Sequence, residues 1–250
     1  MSFSMTYLVG IAGGSGSGKG TIANLIEKHL SSWGVSTFVL SSDDCYKDLS
    51  YIPQEERDLF CFNPEFNFDH PKSVDFDRMV RYATQLKSGQ EFTYAQYDFS
   101  LHAYSEKKVN VSGGLDVAII EGIYALYSGS EIGNSLLSLY DHKVFVVTTP
   151  EIAQNRRIRR DVAERGRELD HVLKHLDATV IPMHRKFIYP TQVSADDVID
   201  WRVDETNGAD AVKKQLIAIA RQKAMAIYEQ VRKPLLASLD SEKVEIKGIG

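Results

Sequence analysis

The sequence predicts an α/β fold, a parallel core sheet flanked by helices, on three observations. Tyr7–Ile11 is a short apolar run that enters a glycine-rich turn, after which apolar residues recur at helical spacing at Ile22, Leu25, Ile26 and Leu30. Further apolar runs at 35–40, 116–121 and 143–148 pass into polar or acidic residues without alternating, the pattern of strands buried on both faces. Segments of helical period separate these runs along the chain, which is the strand–helix alternation that builds a parallel sheet. One domain over residues 1–235 with a tail at 236–250 accounts for the 250 residues, enough for a sizeable core.

The turn Gly13-Gly14-Ser15-Gly16-Ser17-Gly18-Lys19 has the spacing G-x-x-x-x-G-K of a P-loop, in the strand–turn–helix context that motif requires. Its glycines let backbone N–H groups point inward around a polyphosphate, the helix N-terminus adds partial positive charge, and Lys19 reaches the outer phosphates. A flexible Gly/Ser linker would need neither the lysine nor flanking segments of two different periods. Gly20 stands where Ser or Thr normally offers magnesium a hydroxyl, so Thr21 or water must supply that oxygen. The form GxxGxGKGT resembles adenylate kinase and its nucleoside monophosphate kinase relatives. Residues 13–21 are therefore the expected ATP site.

Val35–Leu40 reads as a strand, placing Asp43 and Asp44 outside its carboxyl end, where ligands of open α/β sheets sit. Residues 45–75 show no period but hold Tyr46, Tyr51, Phe60, Phe62, Phe66 and Phe68, too many aromatics for a solvated linker. Asp77–Lys87 is helical through Met79, Val80, Ala83 and Leu86, and Gly89 closes it. Segments 91–97 and 107–111 alternate as a small antiparallel pair with 98–106 between them, an insertion spanning about 90–112. Asp116–Glu121 is a second buried strand, 131–139 a helix, and 143–148 a strand before Pro150 opens the next helix. A helical pattern at 171–188 is interrupted by Pro182, 197–199 is a short strand, and 209–231 is a long amphipathic helix. The tail after Leu235 is expected to be loosely held.

A net charge of −5 and a pI near 5.8 argue against nucleic acid as the main partner. The cysteines, Cys45 and Cys61, make neither a disulfide framework nor a zinc site and read as ordinary thiols with some burial. No apolar run reaches about 18 residues, and MSFSMTY lacks the basic start of a signal peptide. A cytoplasmic protein with no membrane span is expected.

Phosphoryl transfer needs held phosphates, a metal, a base for the acceptor and cations for the developing charge. Asp43 serves either as that base or as a cap for the turn it begins. Glu121, ending a buried strand, is costly there unless it meets a cation. RRIRRDVAERGR (156–167) is either a solvated helix face or, since Gly166 breaks it, an arginine-rich lid over about 156–170. The stretches Phe68-Asp69-His70-Pro71 and Tyr97-Asp98-Phe99-Ser100-Leu101-His102 join aromatics to polar groups, which suits a flat base and a sugar as well as it suits a core with turns.

SDDCYK (42–47), FNFDHP (66–71), YDFSLH (97–102), EGIYALY (121–127), RRIRRDVAERGRE (156–168) and FIYPT with Ala195-Asp196 occur in this order, and together they resemble the uridine kinase (uridine–cytidine kinase) family from the P-loop to about Ile199. The resemblance implies ATP-dependent phosphorylation of the 5′-hydroxyl of uridine or cytidine in pyrimidine salvage, with magnesium, by a homotetramer. It implies Asp43 as base, Asp69 on the ribose hydroxyls, and Phe68, Tyr97, Phe99, His102, Ile123, Arg157, Arg167 and His175 around the nucleoside. Arg157, Arg160 and Arg165 match lid arginines, the last two acting on phosphates with Lys19. Glu121, with Thr21 or Asp43, would hold the metal. A phosphoribulokinase-like or pantothenate-kinase-like acceptor, or a nucleotide-dependent regulator without catalysis, are the competing readings.

Three positions depart from that pattern. Gly20 lacks the hydroxyl. His102-Ala103-Tyr104 replaces the family's H-x-R, which removes an arginine beside the base and leaves Tyr104 to stack on it or to donate a weaker bond. His175 stands where a Gln is common. Looser pyrimidine selectivity than the family norm is expected, with a pH dependence between about 5 and 8 if His175 touches the base.

Overall fold

The computed structural model describes residues 5–57, 62–63, 67–163, 165–202 and 209–246. In chain order the elements are β1 (Tyr7–Gly13), α1 (Lys19–Ser32), β2 (Thr37–Ser41), α2 (Gln54–Arg57), α3 (Phe76–Lys87), β3 (Phe92–Asp98) and β4 (Ala103–Val111). They continue with β5 (Val117–Gly122), α4 (Glu131–Leu139), β6 (His142–Val147), α5 (Pro150–Ala163), α6 (Leu169–His175), α7 (Ile181–Met183), β7 (Asp197–Asp200) and α8 (Ala209–Ile246). Phe60, Phe66 and Cys61 lie outside the described residues, and Cys45 is a buried free thiol. Among the described residues no helix is long and apolar enough to cross a membrane.

Five parallel strands form the core sheet in the order β2-β5-β1-β6-β7. The glycine-rich turn thus leaves the middle strand, where the chain direction of strand addition reverses and a crevice opens. Period-two alternation along β1 divides its side chains between two cores. Val9 and Ile11 pack with Ile22, Ile26 and Leu30 of α1 and with Ala220, Ala224 and Ile227 of α8. Leu8 and Ala12 join Ile120, Phe145 and Met79 on the face covered by α3 and α4. Each large aliphatic side chain buried this way stabilises the fold by about 1.5–3 kcal/mol, so β1 is held rigidly from both sides. The register sets Ile11, Glu121 and Ser41 side by side, which brings three strand ends to one rim.

Three elements differ from the sequence reading. β4 begins at Ala103, not at 107, because Tyr97 pairs with Tyr104 and Asp98 with Ala103 across a tight turn. The exposed Lys107 and Lys108 interrupt the alternation that would have shown this in the sequence. Asp98 makes the turn by accepting the N–H groups of Ser100 and Leu101 through its carboxylate. Pro182 does not interrupt the helical rod after α6. Having no N–H and crowding the carbonyl one turn back, it is accommodated by π-helical widening at Leu176–Val180 and His184–Ile188, on either side of α7. The final helix, α8, continues past the expected end at 231 to Ile246, into the segment read as a tail.

Candidate active site

The P-loop meets α1 at Gly18, whose left-handed backbone (φ 89°) is the N-cap, without a capping side chain or an acid in the first turn. The first N–H groups of α1 and its dipole are therefore left for an anion. Gly16, also left-handed (φ 79°), sits so tightly under α5 that an added Cβ would stand 2.1 Å from the Ala153 carbonyl oxygen. Gly13, Gly14 and Ser17 complete the loop, with the Ser17 N–H donating to the Gly14 carbonyl at 3.1 Å. Ser15 and Lys19 reach the cleft that opens beside it.

That cleft encloses about 550 Å³. Asp43 lines it next to Lys19 and Ser15. A 3-10 turn at Ser42–Cys45 separates Asp43 from its neighbour, and Ser41 caps that turn by accepting the Asp43 N–H at 3.4 Å. Capping, the alternative role for Asp43, thus belongs to Ser41. Asp44 points the opposite way and accepts the Tyr97 N–H at 2.9 Å, and burial raises its carboxyl above the usual range.

Glu121 lies under the lysine. It accepts a hydrogen bond from Ser41 Oγ at 3.0 Å, and burial raises its carboxyl while the Lys19 ammonium pulls it down. A Cβ at Gly20 would sit 3.6 Å from the Glu121 carboxylate oxygens, an ordinary contact. Thr21 is exposed on α1 and, like Glu121, is not among the side chains that line the cleft. Among the described residues no group of three or more acids, histidines or cysteines could cage a metal. One carboxylate beside a phosphate site does fit magnesium, which keeps several waters and takes its other oxygens from substrate.

Aromatic side chains form one wall. Phe68 and His102 stack at 4.3 Å and 14°, and Tyr46 stands edge-on to Phe68 and Phe99 at 6.4 and 5.7 Å. His102 holds φ 49°, a left-handed backbone that costs a non-glycine residue roughly 1 kcal/mol or more. Tyr97, expected against the nucleoside, instead stands behind this wall, edge-on to Phe99 at 5.3 Å. Tyr104 lies farther back. Its hydroxyl donates to the Tyr46 carbonyl and Arg78 of α3 covers its ring at 3.9 Å, so it neither stacks on a base nor donates to one as expected.

Asp69 and Ile123 line the same cleft. Asp69 is buried, its N–H donating to Asn67 Oδ1 at 2.9 Å, and Arg157 Nη1 donates to its Oδ1 at 3.2 Å. His175 Nε2 lies 3.4 Å from Asp69 Oδ2. Burial pulls the His175 imidazole down to about 4, outweighing the Asp69 carboxylate that raises it. The imidazole, held low by its burial, is neutral near pH 7. Arg157, Arg160, Arg165 and Arg167 roof the cleft, Arg165 lying 4.7 Å over the Phe99 ring.

Two residues of this arrangement were absent from the sequence-derived site. Tyr46 lines the cleft, and its signal was its place inside SDDCYK. Asp161 lies beneath the roof arginines, and its signal was a lone acid within an arginine run. A second, solvent-open cavity of about 1020 Å³ shares Ser15 and Arg157 with the cleft, is walled by Phe145, Val147, Leu176 and Ile181 and is lined by no carboxylate.

The profile of the Phosphoribulokinase / Uridine kinase family matches residues 8–207. A uridine kinase of Staphylococcus epidermidis is 39% identical over 194 residues, covering 78% of this chain and 87% of that protein. A uridine kinase of Bacillus mycoides is 36% identical over 223 residues, 89% of this chain and 99% of that protein. Among solved structures, phosphoribulokinase from Rhodobacter spheroides superposes with a TM-score of 0.60 at 16% identity, over 78% of this chain and 70% of that one, a likeness of fold.

Proposed function

Given that the chain belongs to the phosphoribulokinase/uridine kinase family and is a phosphotransferase acting on an alcohol, we propose that it moves the γ-phosphoryl group of ATP to the 5′-hydroxyl of a pyrimidine nucleoside. One observation carries the reading. Asp43 lines the same cleft as Lys19 and Ser15 of the P-loop and as Asp69, Phe68 and His102, which supports a site where an acceptor hydroxyl loses its proton beside held phosphates.

In this mechanism the P-loop amides and Lys19 hold the polyphosphate. Phe68 and His102 offer the flat face for a base, and Asp69 accepts from the ribose hydroxyls. Asp43 takes the 5′-hydroxyl proton as the new O–P bond forms and the bond to the β-phosphate oxygen breaks, releasing ADP. General-base help of this kind contributes about 10²–10⁴-fold. Arg160 and Arg165 neutralise the charge that spreads over the transferring oxygens. Glu121, with waters, would hold magnesium, and the bound ion neutralises phosphate charge. A cytoplasmic homotetramer serving pyrimidine salvage completes the proposal.

The test is coupled ADP release with uridine, cytidine, purine nucleosides and ribulose 5-phosphate as acceptors. Turnover with a pyrimidine nucleoside at least about tenfold above the others is the expected result. Preference for the sugar phosphate would move the chain to the phosphoribulokinase side of the family.

A further inference from the structure

One buried acid stands at the centre of the roof. Asp161 is 0% exposed near the C-terminal end of α5, where the carbonyl ends of a helix disfavour negative charge. An unpaired carboxylate buried there would be strongly destabilising. Its two oxygens are instead divided among four arginines. Arg160 donates to Oδ1 through Nε and Nη2 at 3.1 and 3.0 Å, and Arg165 Nη1 lies 3.4 Å from the same oxygen. Arg167 Nη1 donates to Oδ2 at 3.3 Å, and Arg157 Nε lies 3.5 Å from it. Gly166, left-handed at φ 64°, turns the chain back, and the Arg167 N–H then donates to the Asp161 carbonyl at 3.0 Å. All four arginines line the cleft; Asp161 lies behind them.

We infer that Asp161 is a positioning residue for the transfer step, gathering the four guanidinia into one array above the cleft before any anion arrives. Guanidinia this close repel one another, and without a carboxylate among them their long side chains would spread into solvent. Donors arranged during folding need no reorganisation when charge develops on the transferring group. The four cations face two carboxylates, Asp161 and Asp69, so the array keeps an excess of two positive charges for a polyphosphate. Arg157 touches both acids and makes the array continuous with the acceptor end. This inference rests on the phosphoryl-transfer reading above but not on the identity of the acceptor.

The experiment is a double-mutant cycle of Asp161→Asn, Arg165→Gln and the double variant, with Asp161→Glu as the charge-keeping control. ADP release is measured with whichever acceptor the parent uses, and ATP affinity by calorimetry. A parent inactive with every nucleoside bears on the acceptor reading alone, because the cycle is read equally in ATP hydrolysis. Asp161→Asn raises the positive excess from two to three, so the Kd for ATP is expected not to weaken, while kcat is expected to fall about 10–100-fold because the guanidinia lose their arrangement. The double variant is expected to lose less than the product of the two single losses, because part of what Asp161 does runs through Arg165, and Asp161→Glu is expected to recover part of the rate. Multiplicative losses in the double variant, an unchanged kcat in Asp161→Asn, or no gain from glutamate would overturn the inference. Should Asp161→Asn fail to fold, the charge-balanced double variant decides. A kcat below that of Arg165→Gln with an unweakened Kd for ATP supports the inference, since three guanidinia remain to be gathered, and a kcat equal to that of Arg165→Gln defeats it.

Discussion

At the donor end of the cleft the groups that face a ligand are backbone amides, fixed by the middle strand of the sheet and by a glycine wedged under α5. At the acceptor end they are side chains, lent by the turn after β2, the β3–β4 hairpin and the roof. A backbone site tolerates almost no change, because each amide is placed by the packing of β1 on both faces. A side-chain site can be retuned one residue at a time while the scaffold stays put.

Asp43 sits where the two ends meet, so breaking it tests whether they serve one reaction. Asp43→Asn is expected to cut kcat by about 10²–10⁴ with little change in the affinity of either substrate, read by steady-state kinetics and calorimetry. Near-normal turnover would leave the joint without a base, since Asp44 is committed to the Tyr97 N–H.

Breaking the donor end alone should cost ATP and spare the nucleoside. In Gly16→Ala the new methyl meets the Ala153 carbonyl at 2.1 Å in a left-handed backbone, and the ATP KM is expected to rise about 100-fold or the fold to weaken by about 2 kcal/mol or more. A variant with parent-like ATP KM and Tm would show that the loop is softer than its packing implies. The mirror experiment is Phe68→Ala. Loss of one stacking face, worth about 1–3 kcal/mol, should raise the nucleoside KM about tenfold and leave the ATP KM unchanged; the two KM values moving together would erase the division.

His175 sharpens the comparison through pH. Its folded value near 4 lies below the ordinary histidine value of 6.5, so as pH falls through 6.5 the unfolded chain takes up a proton that the folded one refuses. Stability is therefore lost between pH 6.5 and 4, by about 1–2 kcal/mol at pH 5. His175→Gln should escape that loss, and the difference in Tm between variant and parent should grow as pH falls. A difference independent of pH would place the imidazole in water. The smallest effect is expected for Gly20→Ser, whose side chain has room beside Glu121: unchanged Tm and a few-fold tighter apparent magnesium affinity in titrations of ADP release. Weaker metal dependence would remove Glu121 from that role.

The parts of the molecule legible in the sequence were those whose cause is local. The strand–turn–helix of residues 7–30 shows two periods and a motif within one stretch, and Asp43 closely follows the apolar Phe38-Val39-Leu40 of a strand. Long-range partners hid the rest. Tyr104 reads as a pocket residue until Arg78 of α3 is found on its ring, and Tyr97 until Phe99 and Tyr46 are seen in front of it. Asp161 looks like one charge in a charged run, because nothing in a linear string says that Gly166 folds Arg165 and Arg167 back onto it. Pro182 reads as a stop, since the sequence does not show that neighbouring turns can widen around it.

The acid next to the proposed base has a history written into its contacts. The partners that the structure gives Asp44 are the Tyr97 N–H, the Tyr94 hydroxyl and the charge of Lys107, and all three belong to the β3–β4 hairpin. A chain without that hairpin would bury the same carboxylate with nothing to meet it, at a loss of about 1–3 kcal/mol or more. Aspartate at 44 and the hairpin are thus expected to be inherited as a unit, gained or lost together among proteins of this fold, whereas the role proposed for Asp43 asks nothing of the hairpin.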